Sequence, residues 1–141
     1  MARETSMALA AWQSLNGRQR AYLAATLAVE RANEAYERGA RAAGGWRRPA
    51  AAWRWIAYNE AGSPLLDRLR ASDLVDAGTG ATFGALERRG LLARRYRRAA
   101  VGLPILEVRL TNVGRAAARA GTDTAAPERL LSGTLREWHW R

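Results

Sequence analysis

The side chains of this chain that could do chemistry are arginines, and they are concentrated. From Arg88 to Arg119 stand Arg88, Arg89, Arg94, Arg95, Arg97, Arg98, Arg109, Arg115 and Arg119 against a single acid, Glu107. That window supplies +8 of the chain's formal +10. A guanidinium is always charged and presents a planar fork of donors that matches phosphate oxygens. The concentration therefore predicts a polyanion as partner, with double-stranded DNA the expectation. All 23 basic residues are arginine, which with the heavy use of alanine suggests a GC-rich coding sequence. The choice of arginine over lysine thus carries little meaning, whereas the near absence of acids from one segment does. Arg94, Arg95, Arg97 and Arg98 flank Tyr96. Guarding a sheet edge against aggregation takes one or two charges, and four in five positions point to nucleic acid.

Other chemistries find little support. Cysteine is absent, so disulfides, thiolate zinc sites and a cysteine nucleophile are excluded. The lone histidine, His139, sits between Trp138 and Trp140, a setting for packing or solvent contact. The sequence offers no paired acids, no nucleophile with a base and no metal-ligand set, so neither catalysis nor a cofactor is expected. Gly78-Thr-Gly-Ala-Thr-Phe-Gly84 is glycine-rich, but its spacing fits neither phosphate-binding fingerprint and no lysine follows. No apolar run approaches the ~20 residues of a membrane span, and Met1 to Leu9 lacks the basic-then-apolar order of a signal peptide. A soluble, cytoplasmic protein without membrane contact is expected.

The elements that must position the arginines can be read from capping and periodicity. Residues 1–13 are expected to be an N-terminal tail in which only Trp12 has reason to pack. Asn16 and Gln19 form a capping box for a helix running to about Ala43. Its stripe, Tyr22, Leu23, Thr26, Leu27, Val29, Asn33, Tyr36 and Ala40, recurs at threes and fours. Gly44-Gly45 ends it, and Pro49 opens a helix expected over Ala50 to Tyr58 with Trp53 and either Ile56 or Trp55 inward. Ser63-Pro64 starts another to about Ser72, burying Leu65, Leu66 and Leu69. After a turn anchored by Leu74 and Val75, Thr79 is expected to cap a helix to Arg89, with Phe83 and Leu86 inward and Gly90 as its exit. Leu91 to Arg98 and Ile105 to Leu110 alternate as strands joined by Ala99 to Pro104. Leu106, Val108 and Leu110 face the core, and Glu107 and Arg109 face outward. Thr111 caps a helix over about Val113 to Ala120 that Gly121 stops. A linker from Thr122 and a short helix over Leu135 to Arg141 complete the chain.

Leu86-Glu-Arg-Arg-Gly-Leu-Leu92 and Val108-Arg-Leu-Thr-Asn-Val-Gly-Arg115, with the order of elements around them, resemble the MarR-like branch of the winged helix-turn-helix superfamily. The likeness is good over residues 50–120. It implies a mainly α fold with a small β-hairpin wing: a long N-terminal helix, a helix pair whose second member is the recognition helix, a two-stranded wing and C-terminal helices. The expected organisation is an N-terminal tail over 1–13, a winged-helix DNA-binding domain over 14–121, and a linker with C-terminal helix over 122–141.

On a helical wheel with Phe83 and Leu86 inward, Ala81, Thr82, Ala85, Arg88 and Arg89 face outward, and together with Thr79 at the helix start they are the candidate DNA contacts of the recognition helix. Arg94, Arg95, Arg97, Arg98 and Arg109 are those of the wing. The first half of this helix lacks the Arg, Asn or Gln that read base edges, so electrostatic affinity with modest sequence specificity is expected. The surplus length of the first helix, together with Trp12, Trp138 and Trp140 near the termini, points to a homodimer. The expectation is a transcription regulator on duplex DNA. The alternative is a non-enzymatic DNA-binding or protein-interaction module of a larger replication, transfer or helicase system.

Overall fold

The computed structural model describes residues 2–46 and 48–123. The helix expected over Leu135 to Arg141, with Trp138, His139 and Trp140, and the linker beyond Asp123 lie outside the described residues. The described chain is mainly helical with one small three-stranded antiparallel sheet.

Residues 2–13, expected in a tail, are helical. Helix α1 (Ala2–Gln13) buries Ala8 and shares an apolar groove with the helix that follows Thr111, Met7, Ala8 and Ala11 facing Val113 and Ala116. Helix α2 (Gly17–Ala42) begins as its sequence dictates. The Asn16 side chain accepts from the Gln19 amide, and the Gln19 side chain accepts from that of Asn16. Tyr22, Leu23, Thr26, Leu27 and Val29 are buried. Tyr36, expected on the same stripe, is 73% exposed. Past Asn33 the helix outruns the core, and Glu37 is what it buries there, accepting from the backbone amide and Nε of Arg48.

The helix expected over Ala50 to Tyr58 stops after one turn, α3 (Ala50–Trp53), and gives way to a strand, β1 (Ile56–Ala57). Pairing decides this: Ile56 and Ala57 lie against Val108 and Glu107 of β3 (Ile105–Leu110), and the Tyr58 amide donates to the Leu106 carbonyl. A free sheet edge outweighs the helix propensity of a short alanine run. Trp53 and Ile56 are buried, as the sequence predicts.

Helix α4 (Pro64–Ala71) starts on Ser63, whose hydroxyl accepts from the Leu66 amide. It buries Leu65 and Leu69, while Leu66 is half-buried. The residue in left-handed conformation in the following turn is Asp73, not a glycine. Helix α5 (Thr79–Arg88) buries Phe83 and Leu86 and leaves through Gly90 at φ 73°. Phe83 stands edge-on between Tyr22 and Tyr58, with ring centroids 5.1 and 5.3 Å away. Strand β2 (Leu92–Arg97) pairs with β3 from Leu92↔Leu110 to Arg97↔Ile105, so the strand order is β1-β3-β2. Thr111 accepts from the Gly114 amide and donates to the Gly90 carbonyl, which caps helix α6 over residues 112–123. Gly121 does not stop α6. It is buried because the Trp12 ring lies where a Cβ would be. The apolar core joins Leu23 and Leu27 of α2 to Leu65, Leu69, Phe83 and Leu86, the inner faces of β2 and β3, and Ala117 and Ala118 of α6.

Candidate nucleic-acid interface

Two of the expected contact residues are internal. Thr79 is the first helical residue of α5, not its cap. Gly78 takes that position, and no side chain caps the helix. Thr79 is 6% exposed and its hydroxyl lies 2.9 Å from the Tyr22 hydroxyl. Thr82, 7% exposed, accepts from Arg18 Nε at 2.8 Å and donates to the Gly78 carbonyl. The wheel placed Thr82 outward because it could not know that α2 crosses the start of α5, and Thr79, expected as the cap, is drawn inside by the same crossing. Ala81 is exposed and Ala85 half-buried, so α5 offers solvent a small-residue surface that ends in Arg88 and Arg89.

Sequence reasoning missed the group that ties the start of this helix to α2. Arg18 spans the α4–α5 turn, with Nη1 and Nη2 on the two Asp76 oxygens at 2.9 and 2.7 Å and Nη2 also donating to the Leu74 carbonyl and Tyr22 hydroxyl. The Asp76 carboxylate in turn accepts from the Gly78 amide. The Arg18 guanidinium, followed by the Gly78 amide, holds the Asp76 carboxyl below its ordinary range, and Asp76 raises Arg18 in return. Only the pairing of one arginine in the first turn of α2 with an acid 58 residues later could have signalled it, and pairings at that separation leave no pattern in sequence.

The arginines of the hairpin divide between its two faces. Arg94 shares a face with Leu92 and Tyr96 and binds Glu87 of α5 through Nη2 at 2.9 Å, which holds the Glu87 carboxyl below its ordinary range. A Cβ on Gly84 would lie 3.4 Å from Arg88 Nη1 and 3.6 Å from Arg94 Nη2. The two guanidiniums thus meet over Gly84, which has no side chain to hold them off. Tyr96, 68% exposed, continues this face toward the tip.

The opposite face carries Arg95, Arg97 and Arg109. Arg95 stacks on Trp55 at 4.2 Å from the ring centroid, and Arg109 lies 5.6 Å from the same ring. Glu107 points outward as alternation predicts, yet it is 7% exposed because arginines cover it: Arg95 Nε donates at 2.8 Å and Arg97 Nε at 3.1 Å. Its burial raises the carboxyl, and the bonds from Arg95 and Arg97 outweigh that and leave it lowered. Arg97 also reaches Glu60 at 2.9 Å, and with Glu107 this raises its guanidinium. Trp55 and Glu60 are further members of this surface that charge counting overlooked.

Arg115 does not belong to any outer face. It is 7% exposed and bound to buried Glu30 of α2 through Nε at 2.8 Å and Nη2 at 2.6 Å. Arg89 donates to the Ser14 hydroxyl. Within this basic window and among the described residues, Arg88, Arg98, Arg109 and Arg119 have neither an ion pair nor a hydrogen bond to a side chain, Arg109 meeting only the Trp55 ring, so they keep their charge available. No group of three or more His, Asp or Glu in the described residues could hold a metal ion, and no described helix is long and apolar enough to cross a membrane. Compared with family models, curated proteins and solved structures, the chain has no match.

Proposed function

We propose that this chain binds double-stranded DNA as a winged helix-turn-helix protein, with α4 and α5 as the helix pair, α5 as the recognition helix and β2–β3 as the wing. The observation that carries this reading is the junction at Gly84. There Arg88 from α5 and Arg94 from β2 share one spot, so the exposed side of α5 and one face of the hairpin form a single surface. The small side chains of Ala81 and Ala85 let a phosphate backbone come close, and Tyr96 and Arg98 extend the surface along the hairpin. Arg94, Arg95 and Arg97 each have an acid partner, which orients them and reduces the net field. The binding mode that follows is one that holds backbone rather than reads bases.

That partial neutralisation also favours the second reading, a non-enzymatic module of a replication, transfer or helicase machine that prefers DNA structure over sequence. A regulator is expected to be a two-fold dimer on a palindromic site. Exposed Tyr36 and Trp46, at 73% and 78%, beside the end of α2 suit such a dimer, with the C-terminal segment outside the described residues. Sedimentation at tens of micromolar decides between dimer and monomer.

The test of DNA binding is a fluorescence-anisotropy titration of a labelled duplex across salt concentrations. Affinity falls steeply with salt, and Arg88→Ala and Arg98→Ala each reduce the slope of log K against log salt by about one. Arg97→Ala reduces it less, because Glu60 and Glu107 already neutralise that group. Absence of binding at low salt, or binding indifferent to salt, defeats the proposal.

A further inference from the structure

The tip of the hairpin is apolar where a solvated loop would be polar. Val101 is 90% exposed and Leu103 is 82% exposed, the two most exposed large hydrophobic side chains among the described residues, and nothing in the fold packs on either. Single exposed apolar residues are ordinary. Two on one six-residue loop, one residue apart, with Arg97 and Arg98 at the base, are not explained by folding. Gly102 between them has φ 91°, a conformation that turns the chain sharply so that both neighbours project. The loop is held from behind: Asn59 donates to the Pro104 carbonyl at 3.1 Å and accepts from the Leu106 amide. The hairpin therefore presents a preformed apolar point on a basic stem.

We infer that Val101 and Leu103 form a wedge that enters the minor groove of duplex DNA and opens a base step, bending the duplex. The inference rests on the DNA-binding reading and gives it a mechanism of selectivity. Minor-groove proteins insert apolar side chains such as leucine between base steps and kink the duplex by roughly 20–90°. Guanidiniums favour that groove because its potential is strongly negative, and Arg98 stands directly behind the wedge. The composition of α5 makes this the available source of discrimination: with Gly80, Ala81 and Ala85 outward it has few side chains for base edges. Flexible pyrimidine–purine steps cost least to open, so preference would follow deformability. Charge separates this occupant from an apolar protein groove, since the strand that leads into the point ends in Arg97 and Arg98.

The experiment uses the full chain, a short duplex labelled at both ends for energy transfer, and anisotropy on the same duplex for affinity. The wild type raises end-to-end transfer on binding, most for duplexes with a central TA step. Val101→Ser/Leu103→Ser, at positions where no packing is lost and thermal stability should not change, still binds. Its affinity is about tenfold weaker and the transfer change is lost. Arg98→Ala weakens binding but keeps the bend in each complex. Binding by the wild type without a transfer change, or an equal change in the double variant, overturns the wedge and leaves the DNA reading intact. Failure of the wild type to bind any duplex overturns both. In that case loss by the double variant of cosedimentation with phosphatidylcholine–phosphatidylglycerol vesicles would assign the apolar tip to an anionic membrane surface instead.

Discussion

Replacing Arg115 with methionine tests whether a member of the basic window belongs to the interior, and its magnitude follows from the geometry. Arg115 makes two short bonds to Glu30, one to Asn112 at 3.0 Å and one to the Leu110 carbonyl at 3.4 Å. Glu30 raises the Arg115 guanidinium above its ordinary value. Methionine keeps much of the stem volume but leaves Glu30, 2% exposed, with only the Arg54 Nε at 3.6 Å. Breaking a buried pair from one side costs about 3–5 kcal/mol, and the residual Arg54 contact puts the expected loss near the lower end, about 3 kcal/mol. That is a large share of the ~5–15 kcal/mol typical of a domain. The paired change Glu30→Leu/Arg115→Met removes the stranded charge and should return to within about 1 kcal/mol of wild type. Urea unfolding of the four proteins at neutral pH, treated as a double-mutant cycle, gives the coupling directly. A loss below about 1 kcal/mol for Arg115→Met, or a double variant no better than the single one, would refute the structural assignment.

Four further outcomes are expected. Gly114→Ala should destabilise by more than about 2 kcal/mol despite its gain in helix propensity, since the added carbon would stand 1.7 Å from the Leu91 carbonyl oxygen. Gly121→Ala, which puts a carbon 2.1 Å from the Trp12 ring, should release α1 and shift Trp fluorescence before global unfolding; unchanged melting of either variant is the contrary result. Thr82→Ala should lower stability by about 1 kcal/mol through its lost bond to Arg18 without altering sequence preference, and a changed consensus from a selection experiment would return Thr82 to the DNA surface. Acid should destabilise the fold. Asp76, Glu87 and Glu107 have folded values below their ordinary ones, so their contribution is complete above the unfolded value. It disappears as pH falls through the folded value, from about pH 4 downward. Glu107→Gln should flatten the plot of melting temperature against pH in that window, and an unaltered acid limb contradicts the assignment.

The parts of the fold visible in sequence are those set by near neighbours. The Asn16–Gln19 box, Ser63-Pro64, the Gly90 exit and the alternation of Ile105 to Leu110 are decided within a few residues, and all appear where their chemistry puts them. Apart from the cap of α5, which sits one residue earlier at Gly78, the misreadings have the opposite character. Strand β1 exists because β3 has an edge to cover, α1 is ordered because Gly121 leaves room for Trp12, and Thr82 is inside because Arg18 reaches it from another helix. Each depends on a partner 50 or more residues away. Periodicity along one segment carries no information about such a partner.

The same distinction revises what the charge count means. A window holding nine arginines and one acid suggests an unopposed basic surface, but Glu30, Glu60 and Glu87 arrive from outside the window to meet Arg115, Arg97 and Arg94. What remains is a smaller number of charges without an acid partner, Arg88 over Gly84, Arg89 beside Ser14, Arg98 behind the hairpin tip, Arg109 beside Trp55 and Arg119 on α6, on a frame stiffened by the paired ones. An oriented arginine loses less freedom when a phosphate approaches than a free one does. The acids of this surface, with Arg95 stacked on Trp55, are therefore part of how it would bind: they lower its long-range attraction and raise its shape specificity. If that holds, removing an acid such as Glu60 should strengthen duplex binding at low salt while reducing discrimination between rigid and flexible duplexes.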